Sequence, residues 1–233
     1  MEVPTVVYDA NVLYPAPLRD FLVRLGVSGL VRSRWTDAIH DEWIRSLLRN
    51  RPDLTPDHLR RTRALMDRAV RDCLIMSYED RIDDLSQPDP DDRHVLAAAI
   101  HANAEIILTF NTRDYPKATL ASYSIVAQRP DDFVAKLFDR DAGAICAVAR
   151  AQRSALISPV QSVKQFLTTL RGVGLTKTAA HLETRPNDAT EGQNQPERGA
   201  GESEQAGLGE QNATQTRTIR VVRFQSHVTF ERR

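Results

Sequence analysis

The feature that most constrains the fold is the alternation of short apolar runs with longer helix-forming segments. Strands are predicted at residues 5–8, 31–35 and 105–110, with weaker candidates at 73–78 and 124–127. The segments between them carry apolar residues at helical spacing. Strands that alternate with helices favour parallel pairing through βαβ units. We therefore predict a three-layer α/β fold in which helices flank a central parallel sheet of about four or five strands.

Helix-start signals support this interpretation. Thr36 is a predicted N-cap for a helix that continues to about residue 49, and Thr55 followed by Pro56 begins the next helix. A turn-rich stretch at residues 86–92 leads into the apolar helix "RHVLAAAIHAN". Each helix therefore has a defined beginning between two predicted strands.

The pattern changes to all-helical after residue 130, which divides the chain into three predicted parts. Residues 1–130 form the α/β domain, and residues 131–185 form a helical C-terminal extension that we expect to pack against it. Residues 186–233 form a mostly disordered tail, since residues 186–216 contain a single large apolar side chain, Leu208. Residues 217–233 alternate partly and carry five arginines; we favour an unstructured end over an edge strand or an RNA-contacting tail.

Overall composition names no partner, because the formal net charge is zero. Residues 1–135 hold 17 basic against 21 acidic side chains, whereas residues 136–185 hold 8 against 3. A metal site beside a polyanion-binding surface would produce this asymmetry. Ordinary variation of surface charge would also produce it, and the charge distribution alone favours this simpler explanation. Cys73 and Cys146 lack metal-type spacing, so we expect buried thiols. No signal peptide or membrane-length apolar run is visible, which predicts a soluble cytoplasmic protein.

Polar side chains follow two of the predicted strands. Asp9 ends the strand at residues 5–8, and Asn111 and Asp114 follow the strand at residues 105–110. In an open parallel sheet, ligands bind beyond the carboxyl ends of the strands. Aspartate and asparagine are also common turn formers, so each position alone has a local explanation.

Two further groups of acids lie on helices. Glu42 borders the apolar face of its predicted helix, while the adjacent Asp41 points further outward. Asp89, Asp91 and Asp92 stand at the opening of the apolar helix that begins near residue 93. Solvation explains an exposed glutamate, and capping explains one or two acids at a helix N-terminus.

Considered together, these groups fall where they can converge on one crevice. Several carboxylates in one pocket repel each other and become partly protonated unless a cation compensates them. Mg²⁺ and Mn²⁺ prefer oxygen ligands, and sites of this kind support hydrolysis at phosphorus, with about 3.5–4 Å between two bound ions. The acids therefore predict a divalent-metal hydrolase site.

At this point the sequence resembles the PIN-domain nucleases. The motifs "VVYDANVLY", "DEW", "DDRHVLAAA" and "LTFNTRDYP" occur in the order of that family's acidic motifs, over about residues 3–130. Within the family the chain is most similar to VapC-type toxins of type II toxin–antitoxin modules, here with a helical C-terminal extension. The resemblance implies a Mg²⁺- or Mn²⁺-dependent endoribonuclease, inhibited by a cognate VapB-type antitoxin.

The resemblance also implies roles for particular residues. Asp9, Glu42 and Asp92 match the metal-site acids, with Asp91 as an alternative to Asp92 and Asp89 as an outer residue. Asn11 matches a small polar residue that orients the site, and Thr109 matches the hydroxyl of the final strand. The family's usual fourth acid is replaced by Asn111, so either Asp114 substitutes or one of two metals is held more weakly.

The remaining implications concern substrate and partners. Single-stranded or looped RNA, with tRNA or rRNA plausible by analogy, would contact Arg93 and Arg113. Further candidate phosphate-binding cations are Lys117, Arg150, Arg153, Lys164 and Arg171. Solvation explains these cations equally well. A homodimer that pairs with antitoxin is the family expectation.

Three other functions remain open from the sequence. A housekeeping PIN-type nuclease in RNA processing would carry the same acids. A haloacid-dehalogenase-type phosphatase would need a second aspartate where this chain has Asn11. A non-catalytic α/β regulatory module would use the acids as caps, although no nucleotide-binding glycine motif is present.

Overall fold

The computed structural model describes residues 2–85 and 89–185. Residues 86–88 of the turn-rich stretch and the predicted tail at 186–233 lie outside the described residues. None of the described helices is both long enough and apolar enough to cross a membrane.

A four-stranded parallel sheet forms the centre of the α/β domain, which confirms the predicted fold class. Its strands are β1 (Thr5–Tyr8), β2 (Arg32–Arg34), β3 (Ile106–Leu108) and β4 (Val126–Gln128). They are arranged in the order β2-β1-β3-β4. β1 is buried along its whole length because it pairs on both sides, with Val6 opposite Ser33 of β2 and Ile106 of β3.

Helices surround this sheet and continue beyond it. In the α/β domain they are α1 (Ala10–Leu13), α2 (Ala16–Val27), α3 (Asp37–Asn50), α4 (Pro56–Ala69), α5 (Arg93–His101) and α6 (Lys117–Ala121). In the C-terminal part they are α7 (Pro130–Arg140), α8 (Ala142–Ala155), α9 (Val163–Gly172) and α10 (Thr176–Glu183). Single 3₁₀ turns lie at Glu79–Arg81 and Pro90–Asp92.

The predicted caps begin the helices as expected. The Thr36 hydroxyl oxygen accepts a hydrogen bond from the backbone N–H of Ile39 at 3.1 Å, and the Thr55 hydroxyl oxygen accepts from His58 N–H at 3.3 Å. Each bond satisfies one of the backbone donors that a helix N-terminus leaves unpaired. The Thr36 cap therefore fixes the start of α3, the helix that carries Glu42.

The strand order creates a topological switch point between β1 and β3. The chain leaves β1 toward β2 on one side, and later returns to pair β3 on the other side of β1. The connections diverge at this point, and a crevice opens outside the carboxyl ends of the two strands. Asp9 and Thr109, the residues directly after β1 and β3, lie at this crevice.

The C-terminal helices pack on one another and on α2. α2 contacts both α8 and α9, and Gln152 of α8 donates a hydrogen bond to the Pro17 carbonyl at 2.8 Å. The carboxylate of Asp131, in the first turn of α7, accepts hydrogen bonds from the N–H groups of Lys177 and Thr178. These N–H groups are among those that the first turn of α10 leaves unpaired, so one side chain joins two helices.

One local prediction needs correction. The weak strand at residues 73–78 is absent from the described structure, where only an isolated bridge joins Leu74 to Trp35. Asp72 and Ser77 adopt left-handed backbone angles, with φ of 54° and 58°, which interrupts extended backbone on both sides. The strand predicted at residues 5–8 ends where expected, and a short helix, Ala10–Leu13, follows Asp9. Both cysteines are buried and free, as predicted.

Candidate active site

Asp9 is held in the candidate site by the sheet and by burial. Its backbone N–H donates to the Leu108 carbonyl at 3.1 Å, which extends the pairing of β1 and β3 by one residue. Only 2% of the residue is exposed. The carboxylate is therefore held at the switch point by the sheet itself.

Asn11 and Thr109 hold the Asp9 side chain in place. Oδ2 of Asp9 accepts a hydrogen bond from Asn11 Nδ2 at 2.6 Å and another from the Thr109 hydroxyl at 2.6 Å. The Thr109 oxygen in turn accepts from Asn11 Nδ2 at 2.9 Å and from the backbone N–H of Asn111 at 3.0 Å. The resulting network orients one oxygen of Asp9 through two independent donors.

The amide of Asn11 is fully used in this network. Its two N–H hydrogens go to Asp9 and Thr109, and its oxygen accepts from the backbone N–H of Phe110 at 3.0 Å. An aspartate at this position would lose both donors and bring a second negative charge against Asp9. This arrangement argues against the phosphatase alternative, which needs a second carboxylate there.

Glu42 faces the site from α3, and His94 faces it from α5. His94 Nε2 lies 3.5 Å from Glu42 Oε2, with 46% of the glutamate side chain exposed. The histidine side chain is better buried, at 19% exposed. The two helices thus bring a carboxylate and an imidazole to the same rim of the crevice.

The structure separates Asp92 from its acidic neighbours. Asp92 is half-buried at the start of α5, where the charges of Asp9, Asp114 and Glu42 reach it. Asp91 is exposed, and Asp89 uses its carboxylate to cap the 3₁₀ turn by accepting from Asp91 N–H at 2.9 Å. These positions favour Asp92 over Asp91 as the acid of this motif.

The turn after β3 distinguishes Asn111 from Asp114. Asn111 is exposed, and its carbonyl accepts from Asp114 N–H at 3.0 Å, which folds the chain back toward the site. Asp114 is half-buried, and its charge acts on Asp92. The turn therefore brings the later carboxylate toward the acids, whereas the Asn111 side chain remains at the surface.

Burial and mutual repulsion change the protonation of the two inner acids. The pKa of Asp9 is raised to about 6, mainly by burial; the hydrogen bond from Thr109 opposes this increase, and the charge of Glu42 adds to it. The pKa of Asp92 is raised to about 7, first by burial and then by the charges of Asp9, Asp89, Asp114 and Glu42. The two carboxylates therefore repel each other when both are charged, and a cation bound between them would relieve this repulsion.

The donor set fits a hard divalent cation in its chemistry, since its groups are carboxylate, amide and hydroxyl oxygens. In the described parts of the chain, however, no three His, Cys, Asp or Glu side chains are close enough to hold an ion jointly. The acids are thus electrostatically coupled without forming a preassembled set of ligands.

Sequence reasoning missed two side chains at this site, His94 and Tyr115. Each lies within two positions of a predicted acid, His94 after Asp92 and Tyr115 after Asp114. Proximity in sequence to a candidate ligand was the available signal. The Tyr115 ring is buried, and the charges of Asp9, Asp92, Glu42 and Asp114 all act on its phenol.

The predicted phosphate-binding cations lie outside this cluster. Arg93 is half-buried, and its Nε donates to the Pro90 carbonyl at 3.3 Å. Arg113 is exposed in the turn after β3. Across residues 2–85 and 89–185, neither forms an ion pair with an acid of the site.

Comparisons with known proteins agree with this fold and site. Residues 5–113 match the model of the PIN domain, and residues 130–184 match the model of the VapC50 C-terminal domain. The chain is therefore similar to PIN-domain proteins over its α/β domain and to the VapC50 C-terminal domain over its C-terminal helices. Among curated proteins it is similar to "Putative ribonuclease VapC50" of Mycobacterium tuberculosis strain H37Rv, with 43% identity over 79 residues. That alignment covers 34% of this chain and about half of the relative's length, 47%. No solved structure matches.

Proposed function

We propose that this protein is a divalent-cation-dependent endoribonuclease and the toxin of a type II toxin–antitoxin pair. The observation that carries the proposal is the buried, doubly hydrogen-bonded Asp9 at the switch point, coupled electrostatically to Glu42 and Asp92. The matches to a PIN domain and a VapC50 C-terminal domain, in this order along one chain, support the same function.

Asp9, Glu42, Asp92 and Asp114 are the residues that would hold the cation, with Asn111 as a further neutral oxygen donor. A bound divalent cation supplies an activated water for attack at phosphorus and stabilises the leaving oxygen. Asn11 and Thr109 orient Asp9, and His94 positions Glu42 through their 3.5 Å contact. His94 also acts electrostatically on Asp9, where it opposes the increase in pKa caused by burial.

The substrate in this proposal is RNA, with tRNA and rRNA as the target classes. Arg93 and Arg113 lie on the two segments that also carry Asp92 and Asp114, so RNA phosphates bound there would be close to the acids. Exposed cations of the C-terminal helices, such as Lys164, would extend that contact. We further propose that the protein is a cytoplasmic homodimer and that a VapB-type antitoxin binds it.

The direct test is cleavage of end-labelled single-stranded RNA by the full chain in Mn²⁺ or Mg²⁺, with and without EDTA. We expect cleavage that EDTA abolishes and that Asp9→Asn reduces by at least about 10²-fold, because an active-site carboxylate is removed. Asp41→Asn is the matched control, since Asp41 precedes Glu42 on α3 but is exposed and paired with Arg63. Cleavage that resists EDTA or is equal in Asp9→Asn would refute the nuclease proposal.

A second assay separates a toxin from a housekeeping nuclease. Induced expression of the wild-type chain should arrest bacterial growth, and co-expression of a small protein encoded in the adjoining reading frame should relieve the arrest. Growth at the normal rate, together with active RNA cleavage in vitro, would favour the housekeeping alternative. If the chain neither cleaves RNA nor binds a cation, the result would favour the non-catalytic module.

A further inference from the structure

Tyr115 is a buried tyrosine in the turn that also carries Asp114. Only 2% of the residue is exposed, so its ring forms part of the core beneath the site. The turn begins at Asn111, where the chain leaves β3, and ends at α6. Tyr115 is therefore positioned by the same segment that brings Asp114 toward the other acids.

The hydroxyl of Tyr115 is buried and has no hydrogen-bond partner among the described residues. The other tyrosine deep in this core, Tyr8, behaves as expected: its hydroxyl donates to the Leu22 carbonyl at 3.1 Å and contacts the Ser33 hydroxyl at 2.8 Å. A buried hydroxyl without a partner is costly, because it has lost its hydrogen bonds to water and gained none from the protein. The unpaired phenol of Tyr115 consequently needs an explanation that packing alone does not provide.

The acids of the site act electrostatically on the phenol. Burial, followed by the charges of Asp9, Asp92, Glu42 and Asp114, raises the pKa of Tyr115 well above the usual range. The group therefore stays protonated and can donate one hydrogen bond. The phenol is thus an unpaired donor in the part of the molecule that carries the acids.

We propose that Tyr115 is a positioning residue for the divalent cation, and that its hydroxyl donates a hydrogen bond to an oxygen ligand of that ion. The proposal rests on the proposed function, because it requires the acids to bind a cation. An oxygen that binds the ion, from a carboxylate or a water, would be the acceptor that the phenol lacks among the described residues. The donor would then hold that ligand in place, as outer hydrogen bonds do around many protein metal sites.

Tyr115→Phe tests the proposal, because it removes the hydroxyl and keeps the ring. Outer hydrogen-bond partners typically change metal affinity by about 10–100-fold, so we expect Mn²⁺ to bind the variant at least about 10-fold more weakly. The readout is the loss of the electron paramagnetic resonance signal of free Mn²⁺ on titration of the full chain. Tyr123→Phe is the matched control, since Tyr123 is 41% exposed, and its affinity should equal that of the wild type.

Thermal unfolding without cation distinguishes positioning from a structural role. Removing an unpaired buried hydroxyl should leave the cation-free Tyr115→Phe variant at least as stable as the wild type. The same variant should gain less stability than the wild type when Mn²⁺ is added. A cation-free variant that unfolds at a clearly lower temperature than the wild type would overturn the proposal in favour of a structural role.

The remaining outcomes separate this inference from the proposed function. Equal Mn²⁺ affinity in wild type and Tyr115→Phe overturns the role of Tyr115 and leaves the cation site intact. Absence of Mn²⁺ binding in the wild type overturns the proposed function itself. A measurement that needs no variant is the ultraviolet difference spectrum of the wild type on addition of Mn²⁺. We expect this spectrum to show a perturbed tyrosine. A flat difference spectrum with Mn²⁺ bound would contradict the inference.

Discussion

The hydroxyl of Thr109 donates a hydrogen bond to Oδ2 of Asp9 at 2.6 Å, although the two residues lie 100 positions apart in the chain. The sheet explains this contact, because Tyr8 and Leu108 are register partners and each polar residue directly follows its strand. The hydroxyl also accepts from Asn11 and from the backbone N–H of Asn111. One small side chain therefore joins the two strand ends on which the candidate site depends.

Replacing Thr109 with valine removes this hydroxyl at nearly constant volume. We expect a loss of about 1–3 kcal/mol in the free energy of unfolding, because Asn11 and Asn111 lose a buried acceptor. The pKa of Asp9 should also rise above about 6, since the Thr109 hydrogen bond opposes the effect of burial. Urea unfolding and a carboxylate titration by NMR measure the two effects.

Thr168→Val is the control for this substitution. Thr168 is exposed on α9, and its hydroxyl donates to the Lys164 carbonyl within the same helix. An exposed change of this kind should alter stability by no more than about 0.5 kcal/mol. Equal losses in the two variants would show that the Thr109 hydroxyl has no special structural role.

Stability without divalent cations should decrease as the pH rises. Asp9 and Asp92 have pKa values of about 6 and about 7 in the folded chain, against an ordinary value of 3.8. Between these values the folded state binds more protons than the unfolded state, so the free energy of unfolding falls as the pH increases. Thermal unfolding in EDTA should therefore give a higher midpoint near about pH 5 than near about pH 8. A midpoint that increases over this window would contradict the assigned direction.

The Asp92→Asn variant should lose most of the pH dependence of stability that Asp92 contributes. At about pH 8 without cations we expect the variant to be more stable than the wild type by on the order of 1 kcal/mol, because repulsion from Asp9, Asp114 and Glu42 is relieved. The gain should shrink near about pH 5, where the wild-type carboxyl is protonated. Parallel urea unfolding at the two pH values measures this difference, with the exposed Asp91→Asn as control. A variant that is less stable than the wild type at about pH 8 would argue against repulsion at this site.

The periodicity of the sequence was sufficient to predict the parallel sheet and most helices, because apolar spacing and caps such as Thr36 are local signals. It failed where nonlocal contacts decide the conformation. The run after Cys73 is apolar enough for a strand, yet left-handed residues at Asp72 and Ser77 isolate it.

Asp9, Asp92 and Asp114 were predictable because they follow strands or open a helix, positions that the fold class places at one edge of the sheet. Glu42 was predictable because it borders the apolar face of α3. His94 and Tyr115 were not, since a histidine or tyrosine in an apolar segment is usually a core residue. Their roles become visible only when α5 and the turn after β3 approach Asp9. The distinction between Asn111 and Asp114 likewise depends on a turn that sequence spacing does not specify.

The α9–α10 turn links the C-terminal domain to the site, which makes Gly174 sensitive to substitution. Its φ is +89°, and a Cβ there would lie 3.2 Å from the Phe110 ring. The backbone N–H of Phe110 in turn donates to Asn11. Gly174→Ala should therefore destabilise the protein by about 1–2 kcal/mol, through backbone strain and crowding. Gly172→Ala is the control, because a Cβ there meets no atom within 4 Å. Equal urea midpoints for the two variants would contradict this prediction.

The central claim is that Asp9, at the carboxyl end of β1, and Asp92, at the start of α5, share a divalent cation. Anomalous diffraction from crystals of the full chain grown with Mn²⁺ tests it most directly. We predict a peak at roughly 2.0–2.3 Å from carboxylate oxygens of Asp9 and Asp92, and no such peak in crystals of Asp9→Asn. Wild-type crystals with no anomalous peak at these carboxylates, or with an equal peak in Asp9→Asn, would contradict the claim.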